Sequence, residues 1–345
     1  MLLLLSLTPA GAWLAVWAEG VGLGAPFGFQ HIVALCTFTL ALAALWELAW
    51  LPAIWYLNTR VDRKHAGRTA IGELLAAQSQ AWLLAALMGL AGGAIVEAAA
   101  YAAGSWWWLL AGGLMAAVLV AALHVAPGLL ARFSGAESVE RPALVEQLGV
   151  LARKVRVPIL SIDALPETAS VTATALVAGT GGGRRVFIAA ELMRDWSDEE
   201  IAVVVAHELA HHAHHDLWRT LALDVGVLSA GLWVSDRVLR ATGSLAPGSG
   251  PSVLAVLPAV ALTTSVVWLA SAPLRHAVSR SQERRADAFA LSLTGGIAPF
   301  QAAIRRLAER HLAEERPSRF TRWFYHRHPS VAERLEAAEA FQRRG

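Results

Sequence analysis

Six apolar runs constrain this chain more than any single residue does. Residues 1–18 carry no charged side chain, His31 to Leu57 is interrupted only by Glu47, and Leu74 to Val96 has no charge at all. Ser105 to Leu130, Leu217 to Val234 and Pro251 to Leu274 follow, with Arg219 and Asp224 interrupting the fifth. A bilayer core takes about 20 apolar residues as a helix, so these runs predict a mainly α, multi-pass membrane protein with about six transmembrane helices. Charged residues make up only 16% of the chain, against about 25% in soluble domains.

The texture between the runs sets the expected organisation. Residues 1–18 read as a retained helix rather than a cleaved signal peptide, because no Lys or Arg precedes the apolar stretch. A carboxylate as deep as Glu47 is expected to face a bundle interior or a wet cavity. The basic loop Arg60, Arg63, Lys64, Arg68 is expected on the cytoplasmic side, and Trp106, Trp107 and Trp108 as an interfacial anchor. Counting crossings puts residue 131 onward in the cytoplasm.

Residues 131–216 change to a small α+β unit. A helix is predicted over Pro142 to Val155 and strands over Val157 to Ile162, Thr172 to Ala178 and Arg184 to Ala190, the last after the turn at Gly181 to Gly183. An edge strand there can take an extended substrate by β-augmentation. The Gly243 to Pro251 linker joins two further spans, which returns residues 276–345 to the side of 131–216. The segments are therefore 1–130, 131–216, 217–275 and 276–345. Cys36 is the single cysteine, which excludes an internal disulfide, and with no basic arm or reader motif no nucleic acid is expected as a partner.

Chemistry concentrates at His207-Glu208-Leu209-Ala210-His211. Four residues along a helix return the second imidazole to the face of the first, so His207 and His211 can hold one Zn²⁺ with Glu208 beside it. Zinc lowers the pKa of a bound water to about 7, and a nearby carboxylate can take that proton during attack on a peptide carbonyl. Ser197-Asp198-Glu199-Glu200 reads as a capping box that starts this helix, and Ile201, Val204, Val205 and Leu209 give it an apolar side. His212, His214 and His215 read as solvated or near the membrane surface, since none has a carboxylate directly following the first member of a pair.

Zinc then lacks a protein ligand. Glu283 is the best candidate, with Asp287 one turn on, able to fix an imidazole tautomer or to donate a proton. The same segment also reads as a basic juxtamembrane helix with surface salt bridges, and spacing leaves both readings open.

His207-Glu208-x-x-His211, then Ser279-Arg280-x-x-Glu283-x-x-Ala286-Asp287-x-x-Ala290, then His328-Pro329-Ser330-Val331-Ala332-Glu333-Arg334-Leu335 resembles the type I CAAX prenyl protease family. These are membrane zinc metalloendopeptidases of the gluzincin type, related to HtpX-like quality-control proteases. The likeness extends to the basic loop with Gly67, the tryptophan cluster and the strand block Ala173 to Gly179 followed by Arg184-Arg185-Val186. It implies one Zn²⁺ per chain held by His207, His211 and Glu283, with Glu208 as general base and Asp287 as an outer partner or proton donor. It implies a ring of helices around a wet chamber, which would account for Glu47 and Asp224. His328 and Arg334 match the family's His-Pro-x-x-x-x-Arg element and are candidates to stabilise an oxyanion, His328 standing equally well as a helix-start histidine. Thr174 departs from the family's usual Asn in the substrate-facing strand.

The expectation is a membrane-embedded zinc metalloendopeptidase acting on a peptide or membrane-protein substrate, prenylated or not, in a lipid bilayer. Fewer spans than in eukaryotic members and no retrieval signal after Gln342-Arg343-Arg344-Gly345 point to a bacterial plasma membrane with the site facing the cytoplasm. The rival readings are an HtpX-like quality-control protease, a receptor-coupled signalling metalloprotease and a non-catalytic scaffold.

Overall fold

The computed structural model describes residues 1–56, 71–166, 175–244, 253–310 and 314–343. In chain order the helices are α1 (Leu2–Leu7), α2 (Ala10–Leu23), α3 (Gln30–Tyr56), α4 (Ile71–Ala103), α5 (Trp107–Phe133), α6 (Pro142–Lys154), α7 (Ala190–Asp195) and α8 (Asp198–Ala213). They continue as α9 (Asp216–Ala241), α10 (Val253–Ala270), α11 (Ala272–Thr294), α12 (Ile297–Arg310), α13 (Arg319–Tyr325) and α14 (Val331–Gln342). Among the described residues four strands lie between α5 and α7: β1 (Glu137–Ser138), β2 (Ser161–Leu165), β3 (Ala175–Ala178) and β4 (Arg185–Ala189). The chain divides into one unit of Met1–Ala116 with Gly226–Leu269 and another of Ala117–Val225 with Ala270–Gly345.

The first unit is helical, and its core gathers Phe38, Trp107, Leu232 and Leu254, all under 5% exposed. Among the described residues four stretches are long and apolar enough to cross a bilayer: Gln30–Ala53, Trp82–Phe133, Asp216–Ala241 and Val253–Ala270. The second has 52 residues and is broken at Gly104, where φ is +50° between α4 and α5. The expected helix over residues 1–18 is corrected. Pro9 divides it into α1 and a 14-residue α2, about 21 Å long and too short to cross alone. α2 packs on α3 through small residues; a Cβ on Gly22 would meet the Gln30 carbonyl oxygen at 2.4 Å, so only glycine permits that approach.

The tryptophan anchor is corrected at Trp107. Trp107 is 4% exposed and its Nε1 donates to Asp236 at 2.9 Å, in the interior of this unit, while Trp106 is exposed. An indole N–H satisfied by a buried carboxylate serves packing rather than a lipid interface. The basic loop Arg60 to Arg68 lies outside the described residues.

The second unit carries the chemistry. Its sheet has the order β1-β2-β4-β3, with β2 and β4 parallel and the outer pairs antiparallel. β3 is an edge strand, as expected, although residues 172–174, including Thr174, lie outside the described residues. Leu144, Leu148 and Leu151 recur along one face of α6 and are buried with Val186 and Ile188 of β4 and with Ile201, Val205 and Leu209 of α8. α8 is buried almost all round from Ile201 to Ala210, touching α6, β3, α11 and α12, which makes it the central rod of the unit.

Candidate metal centre

α8 starts where its sequence demands. Ser197 accepts from the Glu200 amide at 3.2 Å and its own amide donates to the Glu200 carboxylate at 2.9 Å, closing the anticipated capping box. From that fixed start, positions 207 and 211 fall on one side of α8, against α11. On α11 the same spacing puts Glu283 and Asp287 in one buried row with Ala286 and Ala290, whose small side chains let the two helices approach.

One ligand atom from each of His207, His211 and Glu283 lies within 4.8 Å of the others. His207 Nε2 is 3.1 Å from Glu283 Oε2, His211 Nε2 is 3.5 Å from Glu283 Oε1, and the two Nε2 atoms are 3.3 Å apart. Each imidazole turns its other nitrogen to a carboxylate. His211 Nδ1 is 3.1 Å from Asp216, and His207 Nδ1 is 2.9 Å from Asp287, although off the line of a well-formed hydrogen bond. Carboxylates on both Nδ1 atoms leave two Nε2 lone pairs and Glu283 facing one point. Two imidazole nitrogens and a carboxylate this close together stabilise positive charge between them, so the donor set fits a cation bound among them.

Electrostatics agree. Burial opposes an imidazolium at His207, yet Asp287 and Glu283 outweigh it and raise its pKa to about 9. Burial would raise the Glu283 carboxyl, but His207 and His328 hold it well below the usual carboxylate range. Asp287, equally buried, is held down by Arg334 and His207.

Glu208 lines the same cavity, of about 590 Å³, beside His207 and Glu283. Burial raises its carboxyl pKa, partly offset by His207 and His211. His328 Nδ1 lies 2.9 Å from Glu283 Oε2 on a largely exposed side chain, so its imidazole borders both the cluster and the cavity. Arg334 differs from the oxyanion role suggested for it. Its Nε and Nη2 donate to both oxygens of Asp287 at 2.8 and 2.5 Å, a two-pronged bond that orients Asp287 behind His207. One side of the cavity wall is apolar, with Val203 and Val204 of α8 and Phe300, Ile304 and Leu307 of α12, while Glu314, His326, Arg327 and Ser330 also line it.

Two parts of the site escaped sequence reasoning. Asp216 is five residues past His211, off its helical face. His215, just past the end of α8, adopts φ of +58° and turns the chain so that Asp216, 3% exposed, comes back beneath His211, where it also pairs with Arg285. Outer partners of this kind change metal affinity by about 10–100-fold. Asp216→Asn is therefore expected to weaken metal binding by that factor, read by competition with a chelator; an unchanged dissociation constant would remove Asp216 from the site.

His212 is the other, and its expected solvation is corrected. Its Nε2 meets the Val177 carbonyl of β3 at 2.8 Å while Arg184 Nε donates to its Nδ1 at 3.1 Å, and burial lowers its pKa. This neutral imidazole ties the edge strand to the metal helix. His214 stacks edge-on against Phe289, and only His215 is exposed.

Comparison with known proteins follows the same residues. The profile of peptidase family M48 matches residues 138–342. The chain is 32% identical over 169 residues to the uncharacterized metalloprotease YhfN of Bacillus subtilis, covering 48% of this chain and 40% of that protein. It is 26% identical to a protease HtpX homolog of Desulfotalea psychrophila over 60% of this chain and 78% of the relative. For the protease HtpX of Glaesserella parasuis the identity is 28%, over 59% and 77%. The crystal structure of S. mikatae Ste24p shares the fold, with a TM-score of 0.77 at 16% identity over 95% of this chain and 80% of that one.

Proposed function

The chain belongs to peptidase family M48, and from that premise we propose that it is a membrane zinc metalloendopeptidase whose centre is His207, His211 and Glu283. The observation that carries this reading is the convergence of those three donors at the wall of a cavity that Glu208 also lines. His207, His211 and Glu283 would hold one zinc ion per chain, which would supply an acidified water and polarise the peptide carbonyl.

The chain's own residues do the remainder. Glu208 takes the water's proton and passes it toward the leaving amine. Asp287 and Asp216 hold the two imidazoles with Nε2 inward, and Arg334 holds Asp287. His328 is read as a donor to the developing oxyanion, a reading supported by its nearness to Glu283 at the cavity edge. β3, pinned by His212, stands last in the strand order, the position at which an extended substrate backbone would add to the sheet.

The substrate is read as an extended segment of a membrane protein or peptide, cut near the cytoplasmic face of a bacterial plasma membrane. The basic loop Arg60 to Arg68 supports that orientation. The apolar wall of Phe300, Ile304 and Leu307 beside Glu208 favours a large apolar side chain next to the scissile bond, and nothing in this wall requires a prenyl group. In a peptide series varying that residue, Leu is expected to exceed Gly in kcat/KM by at least about tenfold. Ile304→Asp should erase the preference while metal content stays near one zinc per chain. Equal turnover of Leu and Gly peptides would assign the wall no role in selection.

A further inference from the structure

A second cavity, of about 470 Å³, lies apart from the metal cluster, where α13 packs on α11. Four guanidinium groups line it: Arg280 and Arg284, one turn apart on α11, and Arg319 and Arg322 on α13. Glu333 is the one carboxylate among its lining residues. Two of the cations already have work. Arg280 donates to the carbonyls of Arg322 and His326 at 3.0 and 2.7 Å, fixing the end of α13, and Arg322 pairs with Glu333 at 2.6 Å. Arg284 and Arg319 are exposed, and among the described residues neither has a carboxylate partner.

Like charges gathered around one hollow repel unless an anion sits among them. Arg280 carries the sign of that strain: burial lowers its pKa, and Arg284 and Arg322 lower it further. Guanidinium forks match phosphate oxygens in pairs, so the anion that suits this hollow is a phosphate.

The rings around the cavity say where that phosphate comes from. Phe320 and Trp323, which line it, are 64% and 53% exposed, and Tyr325 at the end of the same seven-residue helix is 67% exposed. Phe320 and Phe324 stack at 6.0 Å, extending the apolar patch. A site for a dissolved anion has no use for such rings, whereas aromatic side chains flanked by arginines are stable at the level of lipid headgroups. This protein has bilayer-crossing stretches, the last ending at Ala270, ten residues before Arg280. We infer that Arg284 and Arg319, framed by Arg280, Arg322 and the exposed rings of α13, form a binding site for the phosphate headgroup of an anionic phospholipid. Occupation would seat α13 in the interface, next to the segment that leads to His328.

The test is a binding measurement and needs no turnover. Full-length protein in uncharged detergent micelles is titrated with dioctanoyl phosphatidylglycerol, with dioctanoyl phosphatidylcholine and with inorganic phosphate, read by thermophoresis. Phosphatidylglycerol is expected to bind, and Arg284→Gln with Arg319→Gln to weaken it by roughly thirtyfold, about fivefold for each charge removed near a headgroup. Metal content of the double variant should match the parent and serves as the check on folding; Arg284→Lys with Arg319→Lys should restore most of the charge-dependent binding. Equal phosphatidylglycerol affinity in parent and double variant overturns the site. So does phosphatidylcholine binding as tightly as phosphatidylglycerol. Inorganic phosphate binding as tightly as the lipid would make this a pocket for a dissolved anion and overturn the lipid assignment.

Discussion

Glu208→Gln is expected to keep its metal and lose peptide hydrolysis by roughly 10²–10⁴-fold, the range for removing a positioned general base. The change is nearly isosteric, replacing one oxygen by an NH2 group that cannot accept the proton. Glu208 is not among the three convergent donors, so its loss leaves the His207, His211 and Glu283 cluster intact. It does line the cavity beside them, in surroundings that raise its carboxyl pKa through burial. A raised pKa makes the carboxylate a stronger base than a solvated glutamate, as proton abstraction at neutral pH demands. Metal analysis together with single-turnover cleavage of a fluorogenic peptide checks both halves. Unchanged cleavage would remove Glu208 from the reaction, and loss of metal would recast it as part of the ion's shell.

Local patterns and tertiary partners differ in how far a sequence reveals them. The periodic leucines of α6, the capping box of α8 and the i,i+4 histidines are set within a few residues of chain, and all three stand in the structure where the pattern put them. Glu283 was legible only through its motif, because it lies 72 positions and two apolar runs beyond His211 and no local rule spans that gap. Asp216 needed a left-handed residue at 215, which histidine adopts seldom enough that no propensity predicts it. Trp107 and His212 failed for a shared reason. An amphipathic ring looks the same in sequence whether its N–H meets a lipid interface, water, Asp236 or the Val177 carbonyl. The first apolar run misled through length: its composition suits a span, and Pro9 alone divides it.

The helices α8 and α11 are held together in two ways, and separating them gives the other large effect. Apolar and small side chains pack between them, and the buried carboxylates of Glu283 and Asp287 on α11 meet His207 of α8. Glu283→Ala removes one donor of three, so metal affinity is expected to fall by more than the roughly 100-fold that loss of an outer partner produces. The stability effect tells a ligand from a mere structural contact. A bound ion stabilises the folded chain by RT ln(1 + [L]/Kd), about 4 kcal/mol when free metal exceeds Kd a thousandfold. The parent's melting temperature should therefore rise when zinc is added to chelator-treated protein, while Glu283→Ala, stripped or not, melts at a single temperature. Were Glu283 only a packing partner of His207 and His328, the variant would start lower and still gain the full increment on adding zinc. Asp216→Asn gives the intermediate case, recovering the increment at a higher zinc concentration because His211 remains a donor with a weaker hold on its orientation.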